Sequence, residues 1–153
     1  MILTGDWNNM IDYLQAPTLN YVDSKPSNPT GTTNTTGLMM GLAVAFTPTR
    51  SGIIVVQVEG QMTNQTVSDG AKTTLYYGTG TAPANAAAIT GTAAGQPSQI
   101  DAVPTAAKKW PFGITTIISG LTLNTAIWLD LALAAITGGT ANLYGLELVI
   151  YEL

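Results

Sequence analysis

The feature that most constrains the fold is an alternation of apolar and polar residues that recurs from Leu38 to the end of the chain. Val56 and Val58, for example, alternate with Gln57 and Glu59. Because successive side chains of a β-strand point to opposite faces, each such run predicts a strand with one apolar face. The predicted strands lie near residues 38–47, 52–63, 71–78, 97–103, 112–119, 125–136 and 141–152. A single sheet could not cover all these faces, so the sequence predicts an all-β fold, a two-sheet antiparallel sandwich of jelly-roll type.

The second faces of the last two predicted strands are also unusually apolar. Trp128 and Ala132 lie opposite a row of leucines, and Val149 and Tyr151 lie opposite the row that contains Leu146. In a sandwich these faces meet water unless something covers them. We therefore expect a homo-oligomer, most simply a trimer around a three-fold axis, with Trp128, Ala132, Val149 and Tyr151 at its interface. The alternative is that small Ala and Thr side chains make a neutral surface.

Charge and composition exclude several classes of function. Charged residues make up 9% of the chain, against about 25% in an average soluble domain. Five Lys and Arg stand against nine Asp and Glu, so the chain lacks a positive footprint and we expect no nucleic-acid partner. The absence of His and Cys excludes thiol nucleophiles, disulfides and imidazole bases. No apolar run is long enough for a membrane span, and no spacing motif pairs the carboxylates. We expect no membrane insertion, no enzymatic activity, and no metal or cofactor.

The N-terminal residues predict a short anchor. Trp7, Met10, Ile11 and Leu14 recur at helical spacing, which places them on one side of a short helix. So short an apolar helix is not stable alone in water and needs a surface to dock on. These four residues, here called the docking arm, pack either on their own domain or on a neighbouring subunit.

Two stretches have the composition of connecting segments. Residues 24–37 are rich in Pro, Gly, Thr, Ser and Asn, which favours extended backbone. Residues 78–109 form a long insertion rich in Thr, Ala and Gly, and loops of this length are usually functional or flexible. We therefore divide the chain into an N-terminal anchor and linker arm, helical or extended, over residues 1–36, and a β-sandwich domain over residues 37–153.

Five short segments share a pattern of turns and strand edges: Gly37–Leu42, Phe46–Gly52, Tyr77–Pro83, Trp128–Leu131 and Thr137–Ala141. This pattern resembles a β-sandwich module found in structural proteins of tailed bacteriophages. The resemblance covers about residues 37–153. It implies a virion component on the head surface or in a fibre, often trimeric, and it implies no catalytic residues.

Two functions agree with this resemblance. The favoured one is a capsid decoration, or cement, protein that binds the major capsid protein at the virion surface as a trimer, with the docking arm pinned on neighbouring shell subunits. The alternative is a fibre or tail-tip adhesin that recognises a host surface glycan or protein, for which Tyr76, Tyr77 and Trp110 are the nearest aromatic candidates. A chain of 153 residues lacks the long shaft of most fibres, which favours the first function. An enzyme or small-molecule binder is a remote third.

Overall fold

The part of the chain that the structure describes, residues 19–153 of a computed structural model, is built of β-strands. Residues 1–18, and with them the docking arm, lie outside the described residues. The strands are β1 (Tyr21–Ser24), β2 (Leu38–Met39), β3 (Val44–Phe46), β4 (Ile54–Asn64), β5 (Gly70–Thr79), β6 (Thr92–Ile100), β7 (Trp110–Ile118), β8 (Ile127–Ile136) and β9 (Ala141–Glu152).

These strands form two antiparallel sheets around one core. The first sheet has the order β1-β9-β4-β7, and the second has the order β2-β8-β5-β6, with β3 also paired to β8. Leu129 and Leu131 of β8 and Leu148 and Ile150 of β9 are fully buried in one continuous apolar cluster. The predicted all-β sandwich of two antiparallel sheets is confirmed.

One predicted strand, residues 38–47, is split into β2 and β3 by a buried carboxylate. Asp130 is fully buried, and its carboxylate accepts hydrogen bonds from the backbone N–H groups of Gly41 and Leu42 at 2.9 and 3.0 Å. Gly41 and Ala43 have φ values of +70° and +51°, so the backbone leaves the extended conformation to reach the carboxylate. Burial raises the pKa of Asp130 above its ordinary value, and the backbone N–H groups oppose that rise.

Two further strand regions depart from the prediction. β1 lies within the predicted arm, yet it pairs with β9 from Tyr21 opposite Tyr151 to Ser24 opposite Leu148. β6 begins at Thr92, inside the predicted loop, because pairing with β5 holds this segment extended despite its weak strand propensity. The extended conformation of both segments is therefore set by pairing with other strands of the sheets rather than by the local sequence.

Residues between β1 and β2 also form backbone hydrogen bonds with the sandwich. Thr32 and Ala141 exchange two backbone hydrogen bonds of 2.9 Å. The backbone N–H of Ala135 donates to the carbonyl oxygen of Asn34 at 2.9 Å. Thr32 and Asn34, which the prediction placed in the arm, are thus paired with the sandwich.

The last strand ends in a buried carboxylate that joins three separate segments. Glu152 is 5% exposed and accepts hydrogen bonds from four successive backbone N–H groups of residues 49–52, at 2.8, 2.8, 2.8 and 3.1 Å. The side-chain amide of Asn20 donates to the same carboxylate at 2.7 Å. These bonds, here called the Glu152 clasp, hold the β3–β4 turn and the entry to β1 against the end of β9.

The clasp also sets the acid response of the fold. Burial alone would raise the pKa of Glu152, but the N–H donors of Thr49, Asn20 and Arg50 outweigh it and hold the pKa far below the ordinary value of 4.5. A carboxyl with a lowered pKa in the folded state contributes stability that is fully present above its unfolded pKa. That contribution is lost as the pH falls below about 4.5 toward the folded pKa.

Replacing Glu152 with Gln is expected to lower the free energy of unfolding by about 2 kcal/mol at neutral pH, because the amide loses the charge and turns an NH₂ group toward N–H donors. Chemical denaturation followed by circular dichroism measures this loss. The matched control is Glu147→Gln on the same strand. Its carboxylate makes an exposed ion pair with Lys25 at 3.4 Å, so its loss should cost less than about 0.5 kcal/mol.

The pH dependence of the same variant tests the charge of the clasp. The difference in unfolding free energy between the wild type and Glu152→Gln should shrink as the pH falls below about 4.5, because the wild-type carboxylate then becomes protonated on unfolding. A difference that stays constant into strong acid contradicts the charged clasp.

Candidate interaction surfaces

The chain itself covers the part of the outer face of the second sheet around Trp128. Trp128 and Ala132 are 5% and 4% exposed and form a small buried cluster with Met39. Residues 80–91, here called the cover loop, pack alanine side chains against this cluster. The predicted oligomer interface at Trp128 and Ala132 required these side chains to be exposed, but the chain itself buries both of them.

Hydrogen bonds fasten the cover loop to the sheet. The backbone N–H of Met39 donates to the carbonyl of Ala87 at 2.9 Å, and the N–H of Ala86 donates to the carbonyl of Met39 at 2.8 Å. The indole Nε1 of Trp128 donates to the carbonyl of Thr79 at 3.2 Å. Backbone hydrogen bonds thus fix the cover loop to β2, as they would fix an additional strand. The chain beside it also satisfies the indole N–H of Trp128.

Two glycines make room for that indole. A Cβ placed at Gly78 or Gly91 would lie 2.5 Å from an indole carbon of Trp128. Gly91 also has a φ of +82°, which side chains rarely adopt, and its Cβ would lie 2.5 Å from the carbonyl oxygen of Tyr77. A glycine at the end of a strand indicates that another group packs closely against the backbone there. The sequence alone does not identify that group as the Trp128 indole.

The outer face of the first sheet carries no such cover among the described residues. The strand register aligns Tyr21, Tyr151, Val55 and Ile117 in one row across β1, β9, β4 and β7, here called the apolar row. Tyr21 and Ile117, at the two edges, are 59% and 63% exposed. Val149 lies on the same face, and both Val149 and Tyr151 are half-buried. Their predicted place at an interface stays a prediction, and it falls on the face that is open.

Polar and acidic side chains occupy the neighbouring rows of this face. Glu59 and Glu147 are directly opposite on paired strands and, with Gln57 and Val149, line a shallow depression of about 180 Å³. Like charges in this position repel, and Lys25, whose Nζ lies 3.4 Å from the Glu147 carboxylate, offsets part of that repulsion. The face therefore places an acidic depression beside the apolar row.

The aromatic residues considered for an adhesin site do not converge. Tyr76 packs against the Trp128 cluster on the outer face of the second sheet, whereas Tyr77 packs against the core. Trp110 begins β7 in the first sheet, with Lys108 Nζ lying 5.0 Å from the centroid of its ring. The three residues thus lie in three separate environments rather than on one platform.

Residues 19–153 bring no three His, Cys, Asp or Glu side chains together in a group that could hold a metal ion. They also contain no helix that is long and apolar enough to span a membrane. The carboxylates of Asp130 and Glu152, which are buried, are engaged by backbone N–H groups and hold the fold.

The sandwich is similar to part of the VP2 protein of infectious bursal disease virus. A mutant VP2 in T=1 particles aligns over 88% of this chain and 32% of its own, with a TM-score of 0.51 and 12% identity. The VP2 subviral particle aligns over 88% and 33%, with a TM-score of 0.51 and 10% identity. The structure of the Gx strain aligns over 90% and 32%, with a TM-score of 0.50 and 12% identity.

At these identities the likeness shows the fold alone. The chain adopts a β-sandwich of a kind that occurs in a viral capsid protein, and it spans about one third of the length of that protein. No protein-family model matches the chain, and no curated protein sequence matches it. The more specific resemblance to tailed bacteriophages stays a prediction.

Replacing Gly91 with Ala is expected to displace the cover loop from Trp128, because the added Cβ meets the indole and a backbone carbonyl. The cost should be about 1–3 kcal/mol beyond that of the matched control, Gly80→Ala. Gly80 has a φ of +79° but nothing within 4 Å of its Cβ position, so the control carries the backbone strain without the clash. Fluorine NMR of 5-fluorotryptophan protein should show a shifted Trp128 resonance in Gly91→Ala only. Equal spectra and equal stabilities of the two variants would contradict this account of the cover.

Proposed function

We propose that this chain is a structural protein of a virion, and specifically a decoration protein that binds a shell of major capsid protein. The observation that carries the proposal is an apolar row whose edge residues Tyr21 and Ile117 are exposed, on a sandwich whose fold occurs in a viral capsid protein. Exposed apolar rows of this kind mark surfaces that other proteins cover. The resemblance to a β-sandwich module of tailed bacteriophages supports the same role.

We further propose that copies of the chain cover this face for each other in a homotrimer. The strands β4, β7 and β9, of 11, 9 and 12 residues, and the four-residue β1 lie about 4.8 Å apart and together present a face on the order of 600 Å². A homotrimer that turns this face toward a three-fold axis would remove about 600 Å² per copy from water. That is about three quarters of the roughly 800 Å² that each partner buries in an interface of standard size.

Tyr151 and Val149 lie on the inner strand β9 of this face, while Tyr21 and Ile117 lie on its edge strands. Tyrosine side chains bury a large area at a low entropy cost and are common among the residues that dominate interfaces. In the proposed trimer Tyr151 and Val149 form the centre of the contact, and Tyr21 and Ile117 extend it toward the neighbouring copies.

The docking arm supplies the proposed contact with the shell. Described backbone begins at Leu19, which is 60% exposed, directly before the first-sheet edge strand β1. Residues 1–18 are therefore attached beside the proposed oligomer face, where an arm can reach from the trimer to neighbouring capsid subunits. Each bound arm would raise the free energy needed to separate those subunits.

The proposed role requires binding surfaces and no reacting group. We therefore propose that the chain is not an enzyme, acts without a cofactor and resides on the virion surface.

The double variant Tyr151→Lys, Ile117→Lys is expected to convert the trimer to a monomer, because it places two charges on the apolar row. Light scattering at micromolar concentration should give about 48 kDa, three times the chain mass of 15.9 kDa, for the wild type and 15.9 kDa for the variant. The matched control is Val67→Lys, at a residue that is 51% exposed in the β4–β5 turn, which should remain trimeric. A monomeric wild type would contradict the proposed trimer.

The double variant Trp7→Ala, Ile11→Ala is expected to keep the trimer folded and to weaken shell binding by more than about tenfold, because anchors of this size carry most of the energy of an interface. Cosedimentation with capsid shells that lack the chain measures the binding. The control Asn8→Ala, Gln15→Ala changes two polar residues of the same segment and should bind as the wild type does. Undiminished binding of the first variant would contradict docking through the arm.

A further inference from the structure

The outer face of the second sheet holds a depression beside the cover loop, with a volume of about 110 Å³. Its floor is formed by β8 at Ala132 and Ala134. One wall comes from β5, and the opposite wall comes from the turn that precedes β2 together with Ile89 of the cover loop. The wall residues are Lys72, Thr74 and Tyr76 on β5, and Thr35, Thr36, Gly37 and Ile89 opposite them.

The depression follows from the strand register. Lys72 lies opposite Ala134, and Thr74 lies opposite Ala132, so each of these β5 side chains is larger than the alanine beside it on β8. Side chains on one face of neighbouring strands point the same way, and the two alanines therefore leave a low floor. The cover loop bounds the space on the side of the Trp128 cluster.

The wall opposite β5 is held in place before any ligand arrives. The Asn34 side-chain carbonyl accepts hydrogen bonds from the backbone N–H groups of Thr36 and Gly37, each at 2.8 Å, and from the Thr36 hydroxyl at 2.7 Å. The backbone of Asn34 is itself bonded to Ala135 of β8 at 2.9 Å. A wall fixed in this way loses little conformational entropy on binding.

The chemistry of the lining is specific. The Thr35 and Thr74 hydroxyls can donate and accept hydrogen bonds, and the Thr36 hydroxyl, which donates its proton to Asn34, can accept them. Tyr76 and Ile89 offer apolar surface. Lys72 adds a cation, and its ammonium pairs with no carboxylate among residues 19–153. Hydroxyls, an apolar wall and a single cation together match a sugar ring that carries a carboxylate. The ring hydroxyls would meet the threonines, and the carboxylate would meet Lys72.

We propose that this depression binds one acidic monosaccharide unit, a uronic acid, with Lys72 holding its carboxylate and Thr74 a ring hydroxyl. The volume of about 110 Å³ is well below the roughly 300 Å³ of a typical small-molecule pocket, so it limits the ligand to a single ring. The site lies on the opposite sheet from the proposed oligomer face, so it remains open in the trimer. The inference does not depend on the proposed capsid role.

The test is a titration of the full-length, isotope-labelled chain with D-glucuronate, followed by backbone amide NMR, with D-glucose as the uncharged comparison. A ligand of this size is expected to bind with a Kd on the order of 1 mM. Shifts should be confined to residues 35–37, 72–76, 89 and 132–134, and glucose should bind at least about fivefold more weakly, as expected when a charge-assisted hydrogen bond is lost. No shifts, shifts elsewhere, or equal binding of the two sugars would overturn the proposal.

Variants assign the roles within the site. Lys72→Gln should reduce glucuronate binding to the level of glucose, and Thr74→Val, which keeps the side-chain shape, should weaken both sugars. Lys108→Gln is the matched control, since it removes an exposed lysine elsewhere and should change neither affinity. The amide spectrum of each variant shows whether the fold is retained. Unchanged glucuronate binding by Lys72→Gln in a folded protein would overturn the assignment.

Discussion

A sandwich of two sheets has four faces, and only two of them can bury each other. In this chain the inner faces meet through residues such as Leu131 and Leu148, both fully buried. The remaining two outer faces are treated differently. Residues 80–91 of the same chain cover the second sheet around Trp128, whereas the first sheet leaves Tyr21 and Ile117 of the apolar row exposed. That asymmetry leads to the proposed assembly, because a chain with 9% charged residues has few charged groups with which to make such a face soluble.

Two buried carboxylates hold the irregular backbone that this arrangement needs. Asp130 binds the N–H groups of Gly41 and Leu42, which lets the chain leave β2 and enter β3 on the same sheet. Glu152 binds the N–H groups of residues 49–52 and the amide of Asn20, so that the chain's entry to β1 is anchored beside its end. In both cases backbone N–H groups donate hydrogen bonds to the buried carboxylate.

The sandwich could be predicted because strand periodicity is local: Val56 and Val58 show their inward face in the sequence itself. Contacts between distant segments have no such signature. The apolar side of Trp128 was recognisable, but the alanine-rich cover loop carries no apolar period that would identify it as the cover. The alternation of apolar and polar residues likewise predicts that Asp130 lies on an outer face of the sandwich. Its burial depends on contacts with Gly41 and Leu42, which are far away in sequence. Val149 and Tyr151 were predicted as interface residues, yet their neighbours Tyr21 and Ile117 emerge only from the strand register.

We propose that this chain lies on the surface of a viral shell. Immunogold labelling of purified particles with an antibody against the chain reports its position without assuming a partner. Gold spread over the whole head of each particle is the expected result. Gold confined to a tail tip would contradict the decoration role and favour the adhesin, and unlabelled intact particles would contradict a place on the virion surface.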